Sequence, residues 1–285
     1  MAVATYRPRG TRTLARIAAW FRSLLARLGH MAGFCISAVA MIPHAARHYS
    51  RQTISTVTDL TWGRGAVIVG GGTSLMMVVL GLAVGGTVAV QAFATLDLLG
   101  MGPLTGTVSA LANTREFAPI LAASGFAVQA GCRMTAEIGA MRINEEIDAL
   151  ESLGLRSISF VVSTRVLAGL IAVVPTFLIA IVVSFFACSL IVTVAQGESA
   201  GAYEHYFQQF LSGPDILAAT LKVVVFLIVV ILIHCYQGFF AAGGPEGVGV
   251  ASGRAVRASM VAIVVLDMLL TAAIWGFNSN VVFRG

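Results

Sequence analysis

Long apolar blocks alternate with short polar segments along this chain. Residues 66–96, 104–132, 158–195, 216–242 and 258–277 each hold a stretch able to cover a bilayer core, which takes about 20 apolar residues. A soluble helix of such length carries a polar face, whereas these blocks are apolar nearly all round. The pattern predicts an all-α membrane protein with five transmembrane helices. Residues 11–29 read differently. Leu14, Ile17, Ala18, Phe21, Leu24, Leu25 and Leu28 recur at helical spacing, with Arg12, Arg16, Arg22 and Arg27 largely off that face. Such a helix lies in the headgroup plane of the membrane. Residues 31–42 continue it and are too few to span. The chain thus divides into an interfacial, cytoplasmic N-terminal segment, 1–65, and a five-span domain, 66–285.

Two short amphipathic stretches interrupt the apolar blocks. In 142–154, RINEEIDALESLG, Asn144 stands where a cap is expected, Glu145 and Glu146 follow in the first turn, and Gly154 ends the helix. Ile143, Ile147 and Leu150 fall on one face, and Glu145, Glu146, Asp148 and Glu151 occupy the rest. Four carboxylates are repelled by an anionic leaflet, so that face meets protein or water. A solvated connector and a docking helix for a cytoplasmic partner both fit. In 200–212, Tyr203, Tyr206, Phe207, Phe210 and Leu211 follow i, i+3, i+4, i+7, i+8. An aromatic belt at headgroup level accounts for them, with a docking surface for an outer partner as the second reading.

Composition strengthens the membrane reading, with 58% hydrophobic and only 11% charged residues against about 25% charged in soluble domains. The net charge of +5 is placed for a membrane and not for nucleic acid. Half of the 18 basic residues are arginines within the first 65 positions. Arg133, Arg142, Arg156 and Arg165 cluster between the second and third blocks, and Arg254 and Arg257 precede the fifth. The 97–103 and 196–215 loops carry no basic residue. This alternation predicts a cytoplasmic N-terminus and an external C-terminus, with Arg284 as the one exception.

Few residues offer chemistry. Cys35, Cys132, Cys188 and Cys235 form no CxxC pair and read as small hydrophobes. His44 and His48 have a metal-capable spacing, but Arg47 and Arg51 beside them favour an interfacial surface, so no metal site is expected. The single lysine, Lys222, follows leucine, which excludes a phosphate-binding GxxxxGK[ST] loop; HExxH is absent too. Gly81-xxx-Gly85 is a helix-packing motif in the first span, and 243–253, GGPEGVGVASG, reads as a tight inner turn. Charges inside a span cost about 2.5–3.5 kcal/mol each. Arg115 and Glu116 therefore point to a polar lining or gate, or to a contact that holds helices together; Arg133 and Glu137 fit an interfacial ion pair and a functional pair equally, and Asp267 a contact between helices.

The segment 113–154 carries R-E-x-x-P at Arg115–Pro119, A-G at Ala130–Gly131, T-A-E-I-G-A-M-R at Thr135–Arg142 and E-E-I-D-A-L-E-x-L-G at Glu145–Gly154. It resembles the MlaE/YrbE permeases, membrane subunits of ABC transporters that work with MCE-domain proteins. The likeness extends over roughly residues 50–277, with a second match at 243–276. It implies five spans, two permease subunits around a lipid-sized cavity, a cytoplasmic ABC ATPase dimer beneath, MCE proteins on the outer face, and location in the inner membrane. By the same resemblance, Arg142, Asn144, Glu145, Glu146, Ile147, Asp148, Leu150 and Glu151 form the coupling helix, and Arg115, Glu116, Pro119 and Gln129 belong to the lipid pathway or gate. Tyr203, Tyr206, Phe207 and Phe210 would face the outer partner. Proteobacterial relatives have an arginine where Gln129 stands and small residues at Cys132 and Arg133. GAYEHYF at 201–207 and HCYQG at 234–238 look more like the B-type subunit of actinobacterial YrbE pairs, implying a heterodimer. The resemblance implies a non-enzymatic permease importing fatty acid, sterol or mycolic-type lipids, with ATP and magnesium held by the ATPase and no cofactor in this chain. The alternative is an ATP-independent secondary transporter of hydrophobic substrates.

Overall fold

The computed structural model describes residues 9–63 and 72–276, and among these the chain is all-helical. Three helices open it: α1 (Arg9–Ala40), α2 (Ile42–His48) and α3 (Ser50–Trp62). Then come α4 (Thr73–Asp97), a long rod α5 (102–143), the short α6 (Glu146–Ser152), α7 (Ile158–Ala195), α8 (Ala200–Phe210), α9 (Gly213–Phe239) and α10 (Gly244–Trp275). By length and composition, α4, α7, α9 and α10 are able to cross a membrane. A fifth candidate is the pair Leu28–Ala40 and Ile42–His48, bent by 41°. Pro43 sits in the first turn of α2, and its missing N–H interrupts the hydrogen-bond ladder at that bend.

The second apolar block lies inside α5, which stays helical from 102 to 143 but changes its winding. Ser109–Phe117 and Ala127–Gly131 are π-helical, with α-helical turns between and after them. The fifth block also differs from expectation. Gly243 and Gly244 make the turn, with φ of +94° and +70°; α10 begins at Gly244 and Pro245 lies in its first turn. A proline without its N–H costs nothing in a first helical turn, so 245–253 is helix and not a loop. Gly70 and Gly71, and the residues at either terminus, fall outside the described residues.

Helix α9 forms the centre of the bundle. Val223, Phe226, Leu227, Val230, Ile231 and Cys235 are fully enclosed by α5, α7 and α10. Beside it α4 packs on α7 through the expected glycines. A Cβ on Gly81 would strike the backbone oxygen of Ala180, and one on Gly85 that of Ser184. Backbones touch there because no side chain separates them. At the end of the bundle near α6, Phe34 of α1 stacks edge-on against Tyr236 and Phe240 of α9. Ser163 of α7 donates to the Ala38 carbonyl at 2.7 Å. These contacts bind the N-terminal helices to the spans. In contrast, α10 packs by one face only, leaving Val261, Val264, Val265, Met268 and Leu269 bare.

Candidate functional site

Three neighbouring helices converge on Lys222, whose side chain is fully buried on α9. Its ammonium lies 2.6 Å from Asp267 Oδ1 on α10 and 3.2 Å from Glu116 Oε2 on α5. It also donates to Thr271 Oγ1 at 2.7 Å and to the Arg115 backbone carbonyl at 2.8 Å. That carbonyl is available because Pro119, four residues on, has no N–H to offer it. Thr271 in turn donates to Glu116 Oε1 at 2.8 Å. The Arg115 guanidinium pairs with Asp215 at 3.0 Å and lies 5.2 Å from the centre of the Trp275 ring. Trp275 Nε1 donates to the other Asp215 oxygen at 2.7 Å. The first turn of α9 is built to present that aspartate: the Ser212 hydroxyl caps the helix by accepting from the Asp215 N–H. Every charged member of this hub has an opposite charge beside it, the condition for carrying charge within a span.

An apolar groove runs along the side of the bundle next to the hub. It has a volume of about 590 Å³, within the usual range of about 300–1,000 Å³ for ligand sites. Leu80, Val84, Val88 and Leu96 of α4 form one wall, and Val108, Phe117 and Leu121 of α5 the other. Thr87, Gln91 and Thr95 are its few polar members. Glu116 and Phe117 are consecutive, so one segment of π-helix supplies both the hub and the groove. A π turn widens the helix and shifts the register of side chains after it, which suits a stretch that faces two surfaces at once.

A second charge network lies toward the α6 end of α5. Arg133 pairs with Glu137 at 2.8 Å, and Arg165 of α7 approaches the same carboxylate at 3.4 Å. Arg133 also donates to the Asp59 backbone carbonyl of α3 at 3.1 Å. Beyond it, α5 ends at Ile143 and the chain turns sharply into α6 through Glu145, the single non-glycine with positive φ (+58°) among the described residues. Glu145, not Asn144, occupies the N-cap of α6, and neither side chain caps it by a hydrogen bond. Ile147 is fully buried and Leu150 packs on the core beside it. Arg142 holds Asp148 at 2.6 Å, while Glu145, Glu146, Asp148 and Glu151 remain exposed.

The residues expected to line the lipid pathway separate into two places. Arg115, Glu116 and Pro119 meet at the hub. Gln129 lies in the second π segment and reaches the Gly72 carbonyl at 3.5 Å, near the start of α4. Of the expected outer docking residues, Tyr203 is core instead: its ring is enclosed and faces Ser109 and Cys188, and burial pushes its hydroxyl pKa up. Phe207 packs edge-on against Phe185 of α7. Tyr206 and Phe210 stay half-exposed. The i, i+4 aromatic pair therefore anchors α8 to the bundle. His44 and His48 stack with ring centres 4.2 Å apart. Sequence reasoning missed Lys222, Asp215, Thr271 and Trp275 as partners of Arg115 and Glu116. The available signal was the pairing of a lone lysine and a lone aspartate, each inside an apolar block, since both need an opposite charge.

The sequence model of a family described as Permease MlaE matches residues 62–273 of this chain. A probable ABC transporter permease protein of Rickettsia bellii is 30% identical over 187 residues, covering 66% of this chain and 72% of the relative. The intermembrane phospholipid transport system permease protein MlaE of Haemophilus influenzae is 29% identical over 205 residues, 71% of this chain and 78% of its own length. A probable ABC transporter permease protein of Synechocystis is 33% identical over 167 residues, 58% of this chain and 63% of its own.

Proposed function

The chain belongs to the MlaE permease family, and from that premise we propose that it is the membrane subunit of an ATP-driven importer of lipids. The observation that carries this reading is the apolar groove between α4 and α5, whose walls are almost wholly aliphatic and aromatic. Such walls take acyl chains or a sterol body, and the few hydroxyl and amide groups among them leave no site for a strongly polar solute. The groove is open along one side, so a second permease of the same kind closes it, and the B-type likeness makes that pair a heterodimer. Rod α5 is the remaining span, its charges being neutralised in the hub. The N-terminal helix α1 lies at the cytoplasmic interface, which places α6 in the cytoplasm and α8 outside.

Helix α6 is the coupling helix. Its apolar residues, Ile147 and Leu150, are used inward, so the exposed carboxylates of Glu145, Glu146, Asp148 and Glu151 face outward toward a basic groove on a cytoplasmic ATPase, with Asp148 also paired to Arg142. ATP and magnesium belong to that partner. MCE-type proteins would receive or deliver cargo at the opposite face, and fatty acid, sterol, mycolic-type lipid and phospholipid all satisfy the groove. The test is ATP-driven lipid transfer by the purified complex in proteoliposomes, with Ala83→Trp and Thr87→Trp filling the groove. Transfer is expected to stop while the ATPase still co-purifies. Unchanged transfer would remove the groove from the path, and transfer that needs an ion gradient and no ATP would favour a secondary transporter.

A further inference from the structure

We infer that the hub holds one exchangeable proton, shared between Asp267 and Glu116 beside the Lys222 ammonium. Two counts lead there independently. The first is of charge. Arg115 and Lys222 bring two cations, while Glu116, Asp215 and Asp267 bring three carboxylates, all within one connected cluster. Fully ionised, the cluster carries a surplus negative charge. Lys222 is enclosed and the Asp267 side chain is only 13% exposed. The remaining charged groups on the elements packed around Asp267 lie further along their helices, toward the α6 end. They are Arg133, Glu137 and Arg142 on α5, Arg165 on α7, His234 on α9, and Glu246, Arg254 and Arg257 on α10. None of them is placed to balance the surplus.

The second count is of hydrogens. An ammonium has three N–H bonds, and Lys222 Nζ faces four acceptors: the Arg115 carbonyl, Thr271 Oγ1, Glu116 Oε2 and Asp267 Oδ1. Hydrogen bonds take up the first three, so the 2.6 Å contact with Asp267 Oδ1 is an ion pair for which the ammonium has no fourth N–H. The only hydroxyl in the cluster, that of Thr271, already donates to Glu116. The Asp267 carboxyl lies within hydrogen-bonding reach of the Glu116 carboxyl. One proton on this pair supplies both missing items: it removes the surplus charge and gives the orphaned carboxyl a donor. Two carboxylates sharing a site favour this arrangement, because both cannot ionise side by side at low cost. Proton occupancy then decides whether α10 stays pinned to α5 and α9, and so links the proton to the segment that also lines the groove.

The inference rests on the reading of the chain as spanning a bilayer, and not on its cargo or on ATP. It is tested by infrared spectroscopy of the full complex in lipid nanodiscs at neutral pH, reading the C=O stretch of a protonated carboxyl group. Wild-type protein is expected to show that band, shifting on exchange into deuterated water. Asp267→Asn and Glu116→Gln should each remove it, since either leaves the cluster neutral with no shared proton. Each single variant should melt near the wild-type temperature, and the double variant, left with a surplus positive charge, well below either. A wild-type complex with no such band, or a band that survives in both single variants, overturns the proposal. Lipid transfer is measured separately, so loss of transfer alone contradicts the transport reading and leaves the proton site standing.

Discussion

The rod α5 takes part in two networks of basic side chains and carboxylates in different surroundings. Around Lys222 the charges are enclosed by three helices, with exposures of 0% for Lys222 and 13% for Asp267. Around Glu137 they sit at the margin of the bundle, with Arg133 33% and Glu137 41% exposed. Water reaches the second network at both members of its central pair, and the first only from the side of Glu116 and Arg115, 33% and 27% exposed. Breaking an enclosed pair leaves an uncompensated charge and costs about 3–5 kcal/mol, whereas exposed pairs contribute about 0–1 kcal/mol. Residue type alone does not distinguish a structural pin from a surface tether. Enclosure does.

That contrast is broken most easily at Lys222. Lys222→Ala is expected to destabilise the protein by about 3–5 kcal/mol, because Glu116 and Asp267 lose their shared cation. Adding Asp267→Ala should recover part of the loss. A double variant no better than the single, in thermal unfolding of the detergent-solubilised protein, would deny that the two act as a pair. Arg115→Ala should cost less, about 1–3 kcal/mol, because Asp215 keeps the Trp275 indole and the Ser212–Asp215 cap. It is expected to reduce lipid transfer while the ATPase remains bound; loss of the ATPase would make Arg115 a purely structural residue. Glu137→Ala removes the shared partner of Arg133 and Arg165 yet should shift stability by only about 1 kcal/mol or less. A penalty as large as that of Lys222→Ala would erase the distinction between the two networks. Least of all, Asp148→Lys should leave stability within about 0.5 kcal/mol, since its pair with Arg142 is exposed. Its effect is expected instead in pull-downs, as weakened retention of the ATPase.

The same contrast separates what was legible in the sequence from what was not. Periodicity and apolar length located α4, α7 and α9 and gave the all-α class, because those signals are local. Gly81 and Gly85 announced a close helix contact and found it on α7. The Arg133–Glu137 pair was readable at one helical turn. The hub was not readable in the same way, since Lys222 and Glu116 stand 106 positions apart and meet only when α5, α9 and α10 assemble. Boundaries failed where local chemistry was ambiguous. The glycine-rich 243–253 reads as a turn, but one glycine pair makes the turn and α10 is under way by Pro245. Tyr203 illustrates a subtler limit: helical spacing of aromatics shows that α8 has an apolar face, and not whether the bundle or a partner covers it.

The most direct test of the account is site-specific photo-crosslinking of lipid from two positions, Thr87 in the groove and Val264 on the bare face of α10. The complex with its ATPase would carry a photoreactive residue at each in turn. If the groove is the transport path, lipid captured at Thr87 changes with the nucleotide bound to the ATPase, while lipid captured at Val264 does not. Equal, nucleotide-independent capture at both positions, or none at Thr87, would contradict the central claim.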